Sequence, residues 1–168
     1  FPVSSNRINA FTIKQFLMKI VAPVTVIATR RSMSPLFLPN MAHFISSMEM
    51  DNIPEEAVAR AKLVMMDCVG AIVGGMAEPD MQALVNAGQP DGRATILGTG
   101  RTADPQTAAF LNGMAGTVLE MDEGSQFARG HPGMHVFPAL LATAQETGAT
   151  GTEFLRAFII GYDVAART

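Results

Sequence analysis

Apolar side chains fill almost every position from Leu63 to Val73, and Val58, Ala61, Met65, Cys68 and Ile72 recur at spacings of three and four. That period predicts a helix, and the apolar residues between those positions predict one buried on most sides. Pro54 suits its first position, Glu55 and Glu56 face the positive end of its dipole, and Gly74-Gly75 marks its end. Shorter helices are expected over residues 41–48 and 81–87. Ala94-Thr-Ile-Leu97, set between glycines, is the one strand candidate and at most a short extended piece.

Further along, Asp104-Pro105 reads as an N-cap followed by proline at the first helical position. Ala108, Leu111, Ala115 and Val118 then form a stripe of mostly small residues that permits close helix packing. A helix is expected from about His135 to Thr147, with Pro138 tolerated in its first turn. Thr150-x-x-Glu153 is a capping box that opens the last helix, whose apolar face carries Phe154, Leu155, Phe158, Ile159 and Tyr162. These elements define an all-α fold. No closing turn follows the last of them, so a chain cut at Thr168 is expected.

Composition narrows the class. A chain of 168 residues is long enough for one domain with a real core, and 48% apolar against 16% charged residues excludes a disordered or low-complexity chain. The single cysteine, Cys68, reads as core, and its lack of a bridging partner points to a reducing, intracellular compartment. Charge is unevenly distributed. Residues 1–48 hold five basic residues and no acid, while the other seven basic residues share residues 49–168 with all 15 acids, leaving that body at −8. Such a balance argues against a nucleic-acid partner.

The acid-free opening reads as a leader over residues 1–40, either transit-like or a gene-model extension ahead of Met33 or Met41. A transit peptide in residues 1–32 would send the chain to the mitochondrial matrix; without one it is expected in the cytoplasm. No membrane partner is expected, because the longest uncharged run in this opening, Ile20 to Thr29, is about half the length of a span.

Three motifs carry possible chemistry. Gly98-Thr-Gly100-Arg-Thr-Ala103 has the form G-x-G-x-x-A, but it lacks the long buried strand before it and the helix opening within it that a dinucleotide needs. His131 and His135 are four apart, with Asp122 and Glu123 as further donors, yet Pro132-Gly133 puts the pair astride a helix start, so no metal site is assigned. The loop from Glu120 to Gly133 is richest, with three carboxylates, an arginine and a histidine between two apolar helices. This set supplies what proton removal from a carbon beside a carboxylate requires, although a solvated connector would collect the same residues. Pro132 holds His131 extended at a helix start, where free N–H groups favour a substrate carboxylate.

Several segments in order carry a resemblance: Ala61-Lys-Leu-Val-Met-Met-Asp67 with Gly74-Gly75, Ala94-Thr-Ile-Leu-Gly98, Ala108-Ala-Phe-Leu-Asn-Gly113, the acidic loop ending Arg129-Gly-His-Pro132, and Gly161-Tyr-Asp-Val164. From about Met41 to Thr168 the chain resembles the N-terminal part of the MmgE/PrpD family, which includes 2-methylcitrate dehydratase, cis-aconitate decarboxylase and iminodisuccinate epimerase. The resemblance implies a partial helical domain over residues 41–168, an α+β lid domain lying beyond this chain, a homodimer and no cofactor. It also implies a lyase that acts on a small di- or tricarboxylate, dehydratase-like, with an isomerase, epimerase or decarboxylase of the same family as the alternative. His131 and Asp122 map to catalytic positions, and Glu120, Arg129 and Gly130 to substrate binding. Glu120 and Glu123 stand where the family often has Asp, which bears on substrate choice. Needed lysines lie later in family members, so this chain alone is expected to be inactive. The rival reading is a truncated helical module that dimerises without catalysis.

Overall fold

The computed structural model describes residues 37–88 and 90–167. The leader reading over residues 1–40 falls outside them as far as residue 36. Six helices are described: α1 (Phe37–Ser47), α2 (Glu55–Met76), α3 (Pro79–Asn86), α4 (Pro105–Thr117), α5 (Pro132–Thr147) and α6 (Gly151–Arg167). Between α3 and α4 lies an antiparallel pair, β1 (Ala94–Ile96) and β2 (Arg101–Ala103), in which Ala94 faces Ala103 and Ile96 faces Arg101. The fold is all-α around one hairpin.

Helix α2 crosses α4 and also meets α6, while α5 lies between α4 and α6. Ala61, Val64, Cys68, Ile72 and Met76 form its buried face and join Leu111, Ala115, Met134, Phe137 and Phe158 in the core. Asp104 caps α4 as the Asp-Pro step predicts, its Oδ1 accepting the N–H groups of Gln106 and Thr107 at 3.0 and 3.2 Å. The capping box at α6 forms as well, with Thr150 Oγ1 accepting the N–H of Glu153 and Glu153 Oε2 accepting that of Thr150.

The structure corrects several expectations. Helix α2 is open on one side: Leu63, Met66 and Val73 are 55%, 69% and 45% exposed, because its neighbours cover only one face. It also runs two residues past Gly74, since a glycine inside a helix costs only about 1 kcal/mol. Helix α1 starts at Phe37 instead of Met41, and Val118 lies exposed at the end of α4 instead of continuing its packed stripe. Helix α5 begins at Pro132, which leaves Pro138 in the second turn. Its buried ring lies beside Gly113, where the lost backbone bond is traded for packing.

The G-x-G-x-x-A stretch is the turn and second strand of the hairpin. Gly98 and Gly100 adopt φ of 78° and 68°, the left-handed conformation that glycine enters without steric cost. Asn112, a fully buried polar residue, ties this hairpin to α4. Its Oδ1 accepts the N–H of Leu97 at 2.9 Å, and its Nδ2 donates to the carbonyl of Thr95 at 2.9 Å.

Candidate functional site

The loop between α4 and α5 holds its form through its own backbone. Ser125 N–H donates to the carbonyl of Gly130 at 2.8 Å, and Ser125 Oγ accepts the N–H of Ala128, closing a tight turn over residues 125–130. Glu120 and Arg129 sit near the two ends of this loop with φ of 53° and 52°, a backbone conformation uncommon outside glycine. Both are exposed, and neither makes a side-chain hydrogen bond or ion pair among the described residues.

Asp122 and His131 are brought together. The Asp122 carboxylate is 4% exposed, and its Oδ2 lies 3.1 Å from Nδ1 of the half-exposed His131. Proximity here is not alignment. The same Nδ1 points its hydrogen bond at the carbonyl of Glu123, 2.8 Å away, and Asp122 Oδ2 is left without a hydrogen-bond donor. A carbonyl can only accept, so a proton is assigned to Nδ1, and in the neutral form of the ring the lone pair then lies on Nε2. His135 lies exposed on the next turn of α5, and no group of three potential metal ligands forms among the described residues.

Sequence reasoning gives Tyr162 and Gly133 no role at the site, and it reads Glu123 only as one of the loop's carboxylates and a possible metal donor. Glu123 Oε2 accepts the N–H of Gly133, in the first turn of α5, at 2.9 Å, while Oε1 accepts the Tyr162 hydroxyl at 2.5 Å. The anion at the start of α5 is therefore the chain's own carboxylate, in the place expected for a substrate. Tyr162 is held from behind by an aromatic series: its ring lies 6.2 Å from Phe158, which meets Phe137 edge-on at 6.0 Å. Burial, then the hydrogen bond and charge of Glu123, push the Tyr162 hydroxyl up to about 12. The only available sequence signal was one of chemistry: a tyrosine on an otherwise apolar helix face needs a partner for its hydroxyl.

Cys68 lies fully buried beneath the loop. Burial first, then the charges of Glu123, Asp67 and Asp122, push its thiol up to about 12, so it is an inert core group. A groove of about 260 Å³ opens between α2 and the loop, lined by Arg60, Leu63, Val64, Asp67, Glu123 and Gly124. His131 is not among its lining residues.

Fold and loop together define a helical domain that carries a histidine and carboxylate pair at a helix start. The chain matches the MmgE/PrpD N-terminal domain over residues 39–168, and it belongs to that family. Among curated proteins it is 26% identical over 137 residues to the cis-aconitate decarboxylase-like protein oryM of Aspergillus oryzae, covering 76% of this chain and 28% of that protein. It is 27% identical over 135 residues to cis-aconitate decarboxylase of Aspergillus terreus, with the same coverage on each side. The chain thus spans 28% of the length of these relatives. No solved structure matches it. Among the described residues no helix is long and apolar enough to cross a membrane.

Proposed function

We propose that this chain is part of a lyase that acts on a small di- or tricarboxylate by side-chain acid–base chemistry, with His131 as the base and no cofactor. The observation that carries this reading is the pinned ring: Nδ1 at 2.8 Å from the Glu123 carbonyl and 3.1 Å from the buried Asp122 carboxylate, with Nε2 left free of protein partners among the described residues. Nε2 would take a proton from carbon beside a substrate carboxylate, and the electron pair would pass into that carboxylate as an enediolate. In a dehydration the pair then expels the neighbouring hydroxyl, which takes the proton back from the protonated ring and leaves as water. Asp122 would stabilise the imidazolium formed when the ring is protonated, since a buried carboxylate interacts strongly with an adjacent cation.

A decarboxylase of the same family is the second reading, favoured by the names of the Aspergillus relatives. There carbon dioxide leaves, the pair of the broken carbon–carbon bond stays on the substrate, and the resulting carbanion takes a proton, which a His131 ring that enters the reaction protonated would supply. Both reactions must stabilise negative charge on a polycarboxylate, which takes several cations. Arg129 is the only arginine or lysine between Val118 and Gly133. Turnover by the 168-residue chain alone is therefore not expected, and a second copy of it would bring neither a lid nor the later lysines that the family resemblance places downstream.

The test is His131→Ala in a preparation that covers the full length of the relatives, assayed with 2-methylcitrate, cis-aconitate and iminodisuccinate-type substrates. A loss of turnover of about 10²-fold or more is expected if His131 transfers the proton. Unchanged rates on every substrate that the parent converts would reject the base.

A further inference from the structure

We propose that Glu123 is a positioning residue: with Tyr162 it forms a latch that fixes the Nδ1–H tautomer of His131. The inference rests on the functional reading above only for its catalytic meaning, because the latch itself is a matter of geometry. One residue makes three bonds to three different parts of the site. Its backbone carbonyl accepts His131 Nδ1, its Oε2 accepts the N–H of Gly133 on α5, and its Oε1 accepts the hydroxyl of Tyr162 on α6.

The consequence for His131 follows from what a carbonyl can do. A histidine free in water prefers its proton on Nε2, which would leave Nε2 unable to accept a proton from a substrate. Holding a carbonyl 2.8 Å from Nδ1 reverses that preference and frees Nε2. The carbonyl stays there only if the Glu123 backbone is fixed, and the side chain of the same residue fixes it by bridging two helices. Asp122 does not make this bond as placed, since its Oδ2 lies near Nδ1 without a hydrogen bond. Nor is Glu123 a free substrate contact, because both of its carboxylate oxygens are occupied.

The composition of the chain makes the latch measurable. It has one tyrosine, no tryptophan and three histidines, so Tyr162 absorbance and the His131 ring nitrogens are separate reporters of the two ends. The groups that bear on Tyr162 are Glu123, Ser125 and Arg60. In the 168-residue chain, ¹⁵N NMR should show His131 mainly as the Nδ1–H form when neutral, and the tyrosine should titrate near 12 instead of 10.

Tyr162→Phe, which keeps the ring packing, should shift the His131 population several-fold toward Nε2–H. Glu123→Ala should do the same and move the tyrosine midpoint down toward 10. Glu123→Gln should lower that midpoint while largely keeping the tautomer, because its amide can accept from Gly133 and donate to Tyr162. An unchanged tautomer in Tyr162→Phe would overturn the latch even if Glu123→Ala fails to fold. In the active enzyme, Glu123→Ala should lower kcat about 10²-fold with little change in KM. If the tautomer changes and the rate does not, the latch stands and the assignment of His131 as the base fails. If the rate falls with the tautomer intact, the latch is rejected as the cause.

Discussion

Glu123 and Gly133 are matched in shape as well as in hydrogen bonding. A Cβ built on Gly133 would stand 2.7 Å from Glu123 Oε2, 2.9 Å from Val64 Cγ1 and 3.1 Å from Cys68 Sγ, so the bare backbone lets the carboxylate reach its N–H. Gly133→Ala must push the carboxylate away or shift α5 against α2. Overpacking of this kind costs about 1–3 kcal/mol, and urea unfolding should show a loss in that range. Against a Glu123→Ala background the same substitution should cost measurably less, because the two sites share one contact. Additive losses would show that the carboxylate does not occupy the start of α5.

Asn112 is the polar joint between the hairpin and α4, and it should be the most sensitive polar residue of the core. It is fully buried and serves both a donor and an acceptor of the hairpin backbone, the N–H of Leu97 and the carbonyl of Thr95. Asn112→Ala removes two bonds and leaves two part-buried backbone groups without that partner, each worth up to about 1–3 kcal/mol. Loss of several kcal/mol in denaturant unfolding is expected, with hydrogen exchange at Leu97 accelerated beyond the global change. Exchange at Leu97 that matches the rest of the core would place the hairpin's support elsewhere.

Acid should weaken two helix starts in a predictable order of causes. Hydrogen bonds from Thr107, then from Gln106, hold the Asp104 carboxyl below its ordinary 3.8, and those from Thr150 hold Glu153 below 4.5. A carboxylate with a lowered folded pKa stabilises fully above its unfolded value, and that contribution disappears as pH falls through the folded value. Glu153 is exposed and Asp104 only partly buried, so the effect is one of direction. Asp104→Asn and Glu153→Gln should lower the Tm near neutral pH, and the difference from the parent should shrink as pH falls below about 4. A difference that persists unchanged in strong acid would mean that charge has no part in either cap.

Local rules carried most of the fold. Asp104-Pro105 and Thr150-x-x-Glu153 each satisfy backbone groups within three residues, so their helix starts are legible without knowing what packs where. Burial is different, because it depends on which elements meet. Leu63, Met66 and Val73 look like core in a string of letters, yet they line the side of α2 that no described helix covers. β2 escaped notice because Arg101-Thr-Ala103 has only one buried residue and forms through pairing with β1. At the site, Asp122 and His131 were legible as chemistry near a helix start, and the structure brings them within 3.1 Å. The part played by Glu123 was not, since its two carboxylate partners lie 10 and 39 residues away.

Cys68 offers a direct test of how firmly the loop and α5 close over α2. Its side chain is fully buried, Gly133 packs over the sulfur, and the thiol is pushed up to about 12 by burial and by the carboxylates above it. Two barriers to modification therefore act together: access, and the scarcity of thiolate, which is the reactive form. It is the only cysteine, so one thiol-labelling rate reports on this single point. In the folded chain, labelling by a maleimide should proceed only through opening, and its rate should follow global stability as urea is added. Glu123→Ala should speed labelling at low urea more than its effect on global unfolding accounts for, because it frees the loop above the sulfur and removes one of the charges that disfavour the thiolate. Rapid labelling of the parent in the absence of denaturant would mean that α5 does not seal this part of the core, and the packing of Gly133 against Cys68 would have to be abandoned.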